Sequence, residues 1–355
     1  MESQRHPIDH PAAWKASELT GKDAVSVDLS DRHLQAFDQA LREVQRRQLT
    51  LYEIEQSSFD LAEIEDDVST WRDQVMQGRG LIVLRRIPVW KYQQAELEMI
   101  FWGLGAHFGT AMSQSMMGDR LGHVIDVGGK DPRERAYRNS RELALHTDAC
   151  DVVTMFCLRQ AMRGGISGFS SGSAIYNKIL SLRPELLDPL FDGYYYHRFG
   201  EEQPGESPVT PHKVPVFSEC EGCFSVHYLR AYIDLAYQEL GTELGAQELE
   251  ALDLFDQVAD SEDIRLDFML EPGDAVFFNN QTMLHTRTAF EDDADPEKKR
   301  HMFRLWLVAH QRRPVVDTLR MYDGDGIAEQ KGRSTYFAGD LDYKEFTRSG
   351  QSSPD

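Results

Sequence analysis

The chain has 355 residues, of which 59 are Asp or Glu and 38 are Lys or Arg, for a formal net charge of −21. Nucleic-acid affinity comes largely from clustered Lys and Arg facing phosphates, and an anionic membrane surface attracts the same residues, so this balance argues against both partners. No apolar run reaches the roughly 20 residues of a membrane helix, and the opening Met1-Glu2-Ser3-Gln4-Arg5-His6-Pro7 lacks the basic-then-apolar layout of a signal peptide; a cytoplasmic protein is expected.

In chain order, Ser30-Asp31 opens a helix whose apolar residues Leu34, Phe37, Leu41 and Val44 recur at spacings of three and four. A second stripe, Leu61, Ile64, Val68, Trp71 and Val75, predicts a helix ended by Gly78. Residues 80–84 read as a buried strand, and Leu97, Ile100, Phe101 and Leu104 as one face of a third helix. Between Ser113 and Ser140 the chain is rich in Gly, Met, Gln and Arg, with one strand predicted over 123–127. Strand patterns follow at 152–158, 194–197, 224–228, 264–268, 275–278 and 302–309. Helices interrupt them at 174–182 and 246–259, the second with the stripe Leu249, Leu252, Phe255 and Val258, and turns fall at Gly164-Gly165-Ile166-Ser167 and Pro272-Gly273-Asp274. The expected class is mixed α/β and β-centred, with a helical segment 1–79 packed on a core 80–314 and an extension 315–355. Cys150, Cys157, Cys220 and Cys223 are too few for a disulfide scaffold. Cys220-Glu221-Gly222-Cys223 has a zinc or redox spacing, but no second close pair completes a zinc ribbon.

His146 and Asp148 stand two residues apart at the end of the apolar run Leu143-Ala144-Leu145. On a strand, residues i and i+2 share a face, so the two side chains can grip one ion. Of the 12 histidines only His146 has an acid two places on. His285, after the strand 275–278, is the expected third ligand, and Arg287 shares its face and lines the same cavity. Two histidines and one carboxylate leave coordination positions open for a cosubstrate and O2 side by side, which suits non-haem Fe(II) enzymes. A zinc hydrolase with a metal-activated water could use the same ligands, and a non-catalytic β-fold binding protein is a further alternative. The paired cations Arg300 and Arg304, on alternate positions of a strand pattern, have no task in the hydrolase. His197 and His227 read as packed residues.

His146-Thr147-Asp148, the distal His285-Thr286-Arg287-Thr288-Ala289-Phe290 and the pair Arg300 and Arg304, in this order, resemble the Fe(II)- and 2-oxoglutarate-dependent oxygenases related to taurine dioxygenase and 2,4-dichlorophenoxyacetate dioxygenase. The resemblance runs from about Gly80 to about Pro314. It implies a double-stranded β-helix (jelly-roll) core with helical insertions, an Fe(II) centre, and 2-oxoglutarate and O2 as cosubstrates. It further implies hydroxylation of a C–H bond in a small organic substrate, with release of succinate and CO2. Arg300 would anchor the distal carboxylate of 2-oxoglutarate, and Arg304 would meet the substrate's anionic group or support that anchor. Ser167 stands where relatives carry the threonine of a Gly-Gly-x-Thr element and would give its hydroxyl to the same carboxylate. Asn139 and Gln114 fall in the region that borders the substrate. Related halogenases replace the carboxylate with a small residue; Asp148 is intact, so halogenation is not expected.

Overall fold

The computed structural model describes residues 5–126, 139–322 and 324–330. Strand β1 (Ser26–Asp28) is followed by helices α1 (Asp31–Arg46) and α2 (Glu65–Met76), and then by β2 (Leu81–Arg85), which pairs parallel with β1. At the start of α1 the backbone N–H of Ser30 donates to His33 Nδ1 at 3.0 Å, so a histidine plays the reciprocal part that a capping box usually gives to glutamate. Gly78 lies just past the end of α2. The left-handed backbone that turns the chain into β2 belongs instead to Gly80, at φ +79°, whose N–H donates to Gln74 O.

Helix α3 (Gln94–Gly105) and strands β3 (Gly109–Met112) and β4 (Leu121–Val124) come next. The strand expected over 123–127 therefore begins two residues early, and residue 127 lies outside the described residues. Then follow β5 (Leu143–His146), β6 (Val152–Arg159), β7 (Arg163–Gly164) and β8 (Ser167–Ser171). An insertion contains α4 (Gly172–Leu182), α5 (Leu187–Asp192), the hairpin β9 (Phe217–Cys220) and β10 (Cys223–Val226), α6 (Arg230–Glu239) and α7 (Ala246–Ala259). The chain closes with β11 (Arg265–Phe268), β12 (Ala275–Asn279), β13 (Met283–Arg287), β14 (Phe290–Glu291) and β15 (His301–Ala309).

Three expectations are corrected in the insertion. Residues 194–197 are not a strand: Tyr194 and His197 make isolated bridges to Val214 and Val209. The strand expected over 224–228 stops at Val226. In α7 the buried stripe runs through Ala251, Leu252, Phe255 and Val258, while Leu249 is exposed.

Two sheets face each other. The larger runs β1-β2-β12-β6-β15-β3, with β4 also on β15, and the smaller runs β11-β8-β13-β5. Strand alternation divides the larger sheet between two cores. Ile82, Leu84, Phe156, Phe277, Phe303, Leu305 and Leu307 pack with Phe37, Val68, Trp71 and Phe101 of the first three helices. Leu81, Val83, Val276, Phe278, Met302 and Trp306 face Phe169, Leu266, Phe268 and Met283 of the smaller sheet. Burial on both faces explains why these strands read as unbroken apolar runs. The insertion covers the outer side of the smaller sheet through a third cluster that includes Leu284. The result is the jelly-roll core with helical insertions, and the space between its sheets holds the site. Among the described residues no helix is long and apolar enough to cross a membrane.

Candidate metal centre

Strands β5 and β13 lie side by side in the smaller sheet with His146 directly opposite His285, their ring centroids 4.1 Å apart. His146 Nδ1 is 2.8 Å from the carbonyl of Ala144. As donor there it fixes the tautomer and leaves Nε2 with its lone pair directed at the neighbouring ligands. Asp148 is not on the strand, as alternation alone would have it. β5 ends at His146, Thr147 N–H donates to Tyr228 O, and Asp148 stands on the loop beyond. Asn280 tethers that loop: its Oδ1 accepts from Asp148 N–H at 2.9 Å, and its Nδ2 donates to the carbonyls of Asp148 and Cys150.

The three side chains converge. His146 Nε2 is 3.7 Å from Asp148 Oδ1, and His285 Nε2 is 3.6 Å from Asp148 Oδ2. One ligand atom from each lies within 4.8 Å of the others, the only such group of three among the described residues. Ligands at right angles around a first-row ion at ~2.1 Å stand roughly 3 Å apart, so Asp148 would have to close on each imidazole by somewhat more than half an ångström to complete a facial triad. Burial holds both imidazoles below the usual histidine range, His285 well below it with His146 adding repulsion, while Asp148 pulls in the opposite direction. Neutral imidazole is the form that ligates a metal.

Asp148 Oδ2 also accepts the indole N–H of Trp306 at 2.9 Å and lies 3.7 Å from Arg304 Nη1. Arg304 is clamped by Gln114. Its Nε donates to Gln114 Oε1 at 2.7 Å, and Gln114 Nε2 donates back to Arg304 O at 2.9 Å and to Arg120 O at 2.8 Å. The structure thus makes Gln114 a support for Arg304. Asn139 Oδ1 is likewise occupied, by Arg141 N–H at 3.1 Å, and Asn139 serves the site through its carbonyl, which accepts from Arg287 Nη2 at 3.0 Å.

Arg300 lies just before β15, whose pairing with β6 is irregular between His301 and Met302, so the strand alternation expected to put it on the face of Arg304 does not extend to it. It is 3% exposed, donates from Nη2 to Met302 Sδ at 2.7 Å, and stands 5.0 Å over the ring of Phe290. Its Nη1 is buried with no hydrogen-bond partner among the described residues. Burial lowers its pKa to about 10, with Cys157 and Asp292 opposing. Ser167 is buried on β8 as the cross-strand partner of Arg287. His227 is packed, its Nδ1 3.2 Å from Thr147 Oγ1 and its Nε2 3.3 Å from Met321 Sδ, and burial lowers its pKa to about 4. Cys220 and Cys223 pair across the β9–β10 hairpin as free thiols, away from the centre.

Asp148 borders two clefts. One, of about 640 Å³ including its open mouth, is walled by Cys150, Asn280 and Arg312; the other, of about 340 Å³, by Glu201, Tyr232 and Trp306. Met321 and Tyr322 line both, so the extension after residue 314 forms part of the approach to the centre. Sequence reasoning missed Trp306, Asn280 and this wall. Trp306 was readable, since it follows Arg304 by two places on the same strand face; Asn280 and Tyr322 reach the site through tertiary contacts that leave no local pattern.

The model of the family described as "Taurine catabolism dioxygenase TauD, TfdA family" matches residues 43–306. FR-33289 synthase of Streptomyces rubellomurinus is 29% identical over 325 residues, 90% of this chain and 95% of that protein. Among solved structures, an asparagine oxygenase in complex with Fe(II), 2S,3S-3-hydroxyasparagine and succinate matches with a TM-score of 0.63 at 15% identity, covering 80% of this chain and 93% of its own. The non-heme iron oxygenase OrfP in complex with Fe and alpha-ketoglutaric acid matches at 0.60 and 14%, covering 80% and 94%.

Proposed function

The chain belongs to the taurine catabolism dioxygenase TauD, TfdA family and is a 2-oxoglutarate-dependent non-haem iron dioxygenase, and we propose that His146, Asp148 and His285 hold its iron while Arg300 and Arg304 divide the binding of cosubstrate and substrate. The observation that carries the reading is the convergence of two buried neutral imidazoles and one carboxylate between the sheets. Bound iron supplies the redox chemistry: O2 oxidatively decarboxylates 2-oxoglutarate to succinate and CO2, and one oxygen atom enters a substrate C–H bond to give the alcohol.

The chain's own groups position the reactants. Asp148 presents its carboxylate with Oδ2 already engaged by Trp306, so its orientation is set before a metal arrives. Arg300 has a buried nitrogen without a partner among the described residues, available for the distal carboxylate of 2-oxoglutarate, with Ser167 as a hydroxyl donor from the smaller sheet. Arg304, 3.7 Å from Asp148, would meet an anionic group of the substrate. The substrate is a small organic molecule entering past Met321 and Tyr322. Structures of the same fold in complex with succinate and 2S,3S-3-hydroxyasparagine or (3S)-hydroxy-L-Arg support hydroxylation as the outcome.

Metal titration and succinate release test this. Alanine at His146, Asp148 or His285 is expected to abolish Fe(II) binding and turnover, and zinc to inhibit. Arg300→Ala is expected to weaken 2-oxoglutarate binding about a hundredfold, as loss of a charged bidentate partner does, while Arg304→Ala leaves it intact and impairs coupled turnover. Full activity with zinc under anaerobic conditions would overturn the assignment.

A further inference from the structure

Arg287, on β13 of the smaller sheet, and Arg300, just before β15 of the larger, approach one ring: their guanidinium carbons lie 4.8 and 5.0 Å from the centroid of Phe290. Both residues are buried, and neither forms an ion pair with a carboxylate among the described residues. Asp292 accepts the backbone N–H of Arg300 at 2.8 Å rather than its guanidinium. Among the described residues, each arginine has one buried nitrogen without a hydrogen-bond partner, Nε of Arg287 and Nη1 of Arg300. The two buried cations repel each other, and Asp126 near Arg287 and Asp292 near Arg300 offset only part of the cost of burial, which still lowers both pKa values, so an anion between them would stabilise both.

The position of the pair defines that anion. His285 and Arg287 share a face of β13 two residues apart, about 7 Å along the strand. Ser167, the direct cross-strand partner of Arg287, faces the same space. Gly165 keeps the backbone close on the other side: a Cβ there would stand 3.3 Å from Arg300 Nε. A ligand reaching both the metal centre and this pair needs a chelating end and an anionic end joined by a short chain. Arg287 Nη2 is held by the carbonyls of Asn139 and Arg141, which fixes its guanidinium, while Nε is buried without a partner among the described residues.

We infer that Arg287 is a second cosubstrate arginine, forming with Arg300 a two-guanidinium clamp on the distal carboxylate of 2-oxoglutarate. The inference rests on the iron and 2-oxoglutarate reading above and moves Arg287 from the substrate side of the cavity to the cosubstrate side. Its consequence is selectivity: a 2-oxo acid with the same chelating end and no distal carboxylate leaves both cations unpaired.

Calorimetric titration of the Mn(II)-loaded protein with 2-oxoglutarate and with 2-oxobutanoate tests it without turnover. Arg287→Gln is expected to weaken 2-oxoglutarate about 10- to 100-fold while leaving 2-oxobutanoate unchanged, with Arg287→Lys intermediate. Arg287→Lys, which retains the charge, carries the test if the glutamine variant does not fold. Unchanged 2-oxoglutarate affinity, or parallel loss for both acids, would reduce Arg287 to a tie for residues 139–141 and overturn the clamp while leaving Arg300 as sole anchor. Equal binding of the two acids by the unsubstituted protein would instead overturn the underlying reading.

Discussion

At the scale of single residues, the centre depends on how Asp148 is held. It stands past the end of β5, so its carboxylate is oriented by side chains distant in sequence: Asn280 fixes its backbone and the Trp306 indole fixes Oδ2. Partners that hydrogen-bond a ligating carboxylate typically alter metal affinity 10- to 100-fold when removed. Trp306→Phe keeps the ring in the inter-sheet core but deletes the N–H donor, and about tenfold weaker Fe(II) binding is expected with little change in melting temperature. Affinity equal to that of the unsubstituted protein would show that Asn280 suffices. The pairing of His146 with Asp148 was legible because that spacing is local. Asn280 was not, because its role exists only once the loop after β12 meets the loop after β5. Gln114 was legible as a polar residue of the site region, but its partner, the guanidinium of Arg304 190 positions away, was not.

At the scale of elements, strand alternation explains most of what could be read ahead. On β15, Phe303, Leu305 and Leu307 belong to the helical side while Met302, Arg304 and Trp306 face inward, so a single strand builds a core and presents a site. The insertion resisted the same reading. Its aromatic run Tyr194-Tyr195-Tyr196 is buried by α4, α6 and α7 rather than by sheet neighbours, and apolar residues that satisfy a helical layer look like those that satisfy a strand. Helix α3 shows how closely the first layer is fitted: a Cβ on Gly103 would stand 2.2 Å from Phe59 Cγ, and Phe59 is fully buried. Gly103→Ala would ordinarily favour a helix, but here the ring of Phe59 must move within a filled core, an overpacking that typically costs 1–3 kcal/mol (about 1–3 here). A lower melting temperature for Gly103→Ala, restored in part by Phe59→Leu, is the expected result; a stabilised Gly103→Ala would show that the first layer yields freely.

At the scale of the whole molecule, four layers bury histidines far from the metal centre, and this gives the fold a pH dependence of definite sign. Burial lowers His197 to about 4, and His301 to about 4 with His123 and Arg159 adding repulsion. His197 is 0% exposed, its Nδ1 accepting Phe199 N–H at 2.8 Å, and His301 Nε2 lies 2.9 Å from His123 Nδ1. An unfolded histidine titrates near 6.5, so between that value and about 4 the unfolded chain binds protons that the native protein excludes. The stability these residues retain is therefore complete above about pH 6.5, falls as pH drops through the window, and declines no further once the native residues also protonate near 4. Half-exposed Asp234 and Asp256 act in the opposite sense, since the packing around them raises their pKa and acid relieves it. Ordinary carboxylates titrate near 4, so between pH 7 and 5 the excess of acids behind the charge of −21 stays ionised and the histidines dominate. Calorimetric melting of the metal-free protein is expected to show a falling midpoint from pH 7 to pH 5, with a shallower slope in His197→Gln. Metal-free protein is the right sample, because protons also compete with metal for His146 and His285 and would add a second acid dependence. A midpoint that rises on acidification would mean that relief of carboxylate repulsion outweighs the buried imidazoles, and equal slopes in the two proteins would remove His197 from the account.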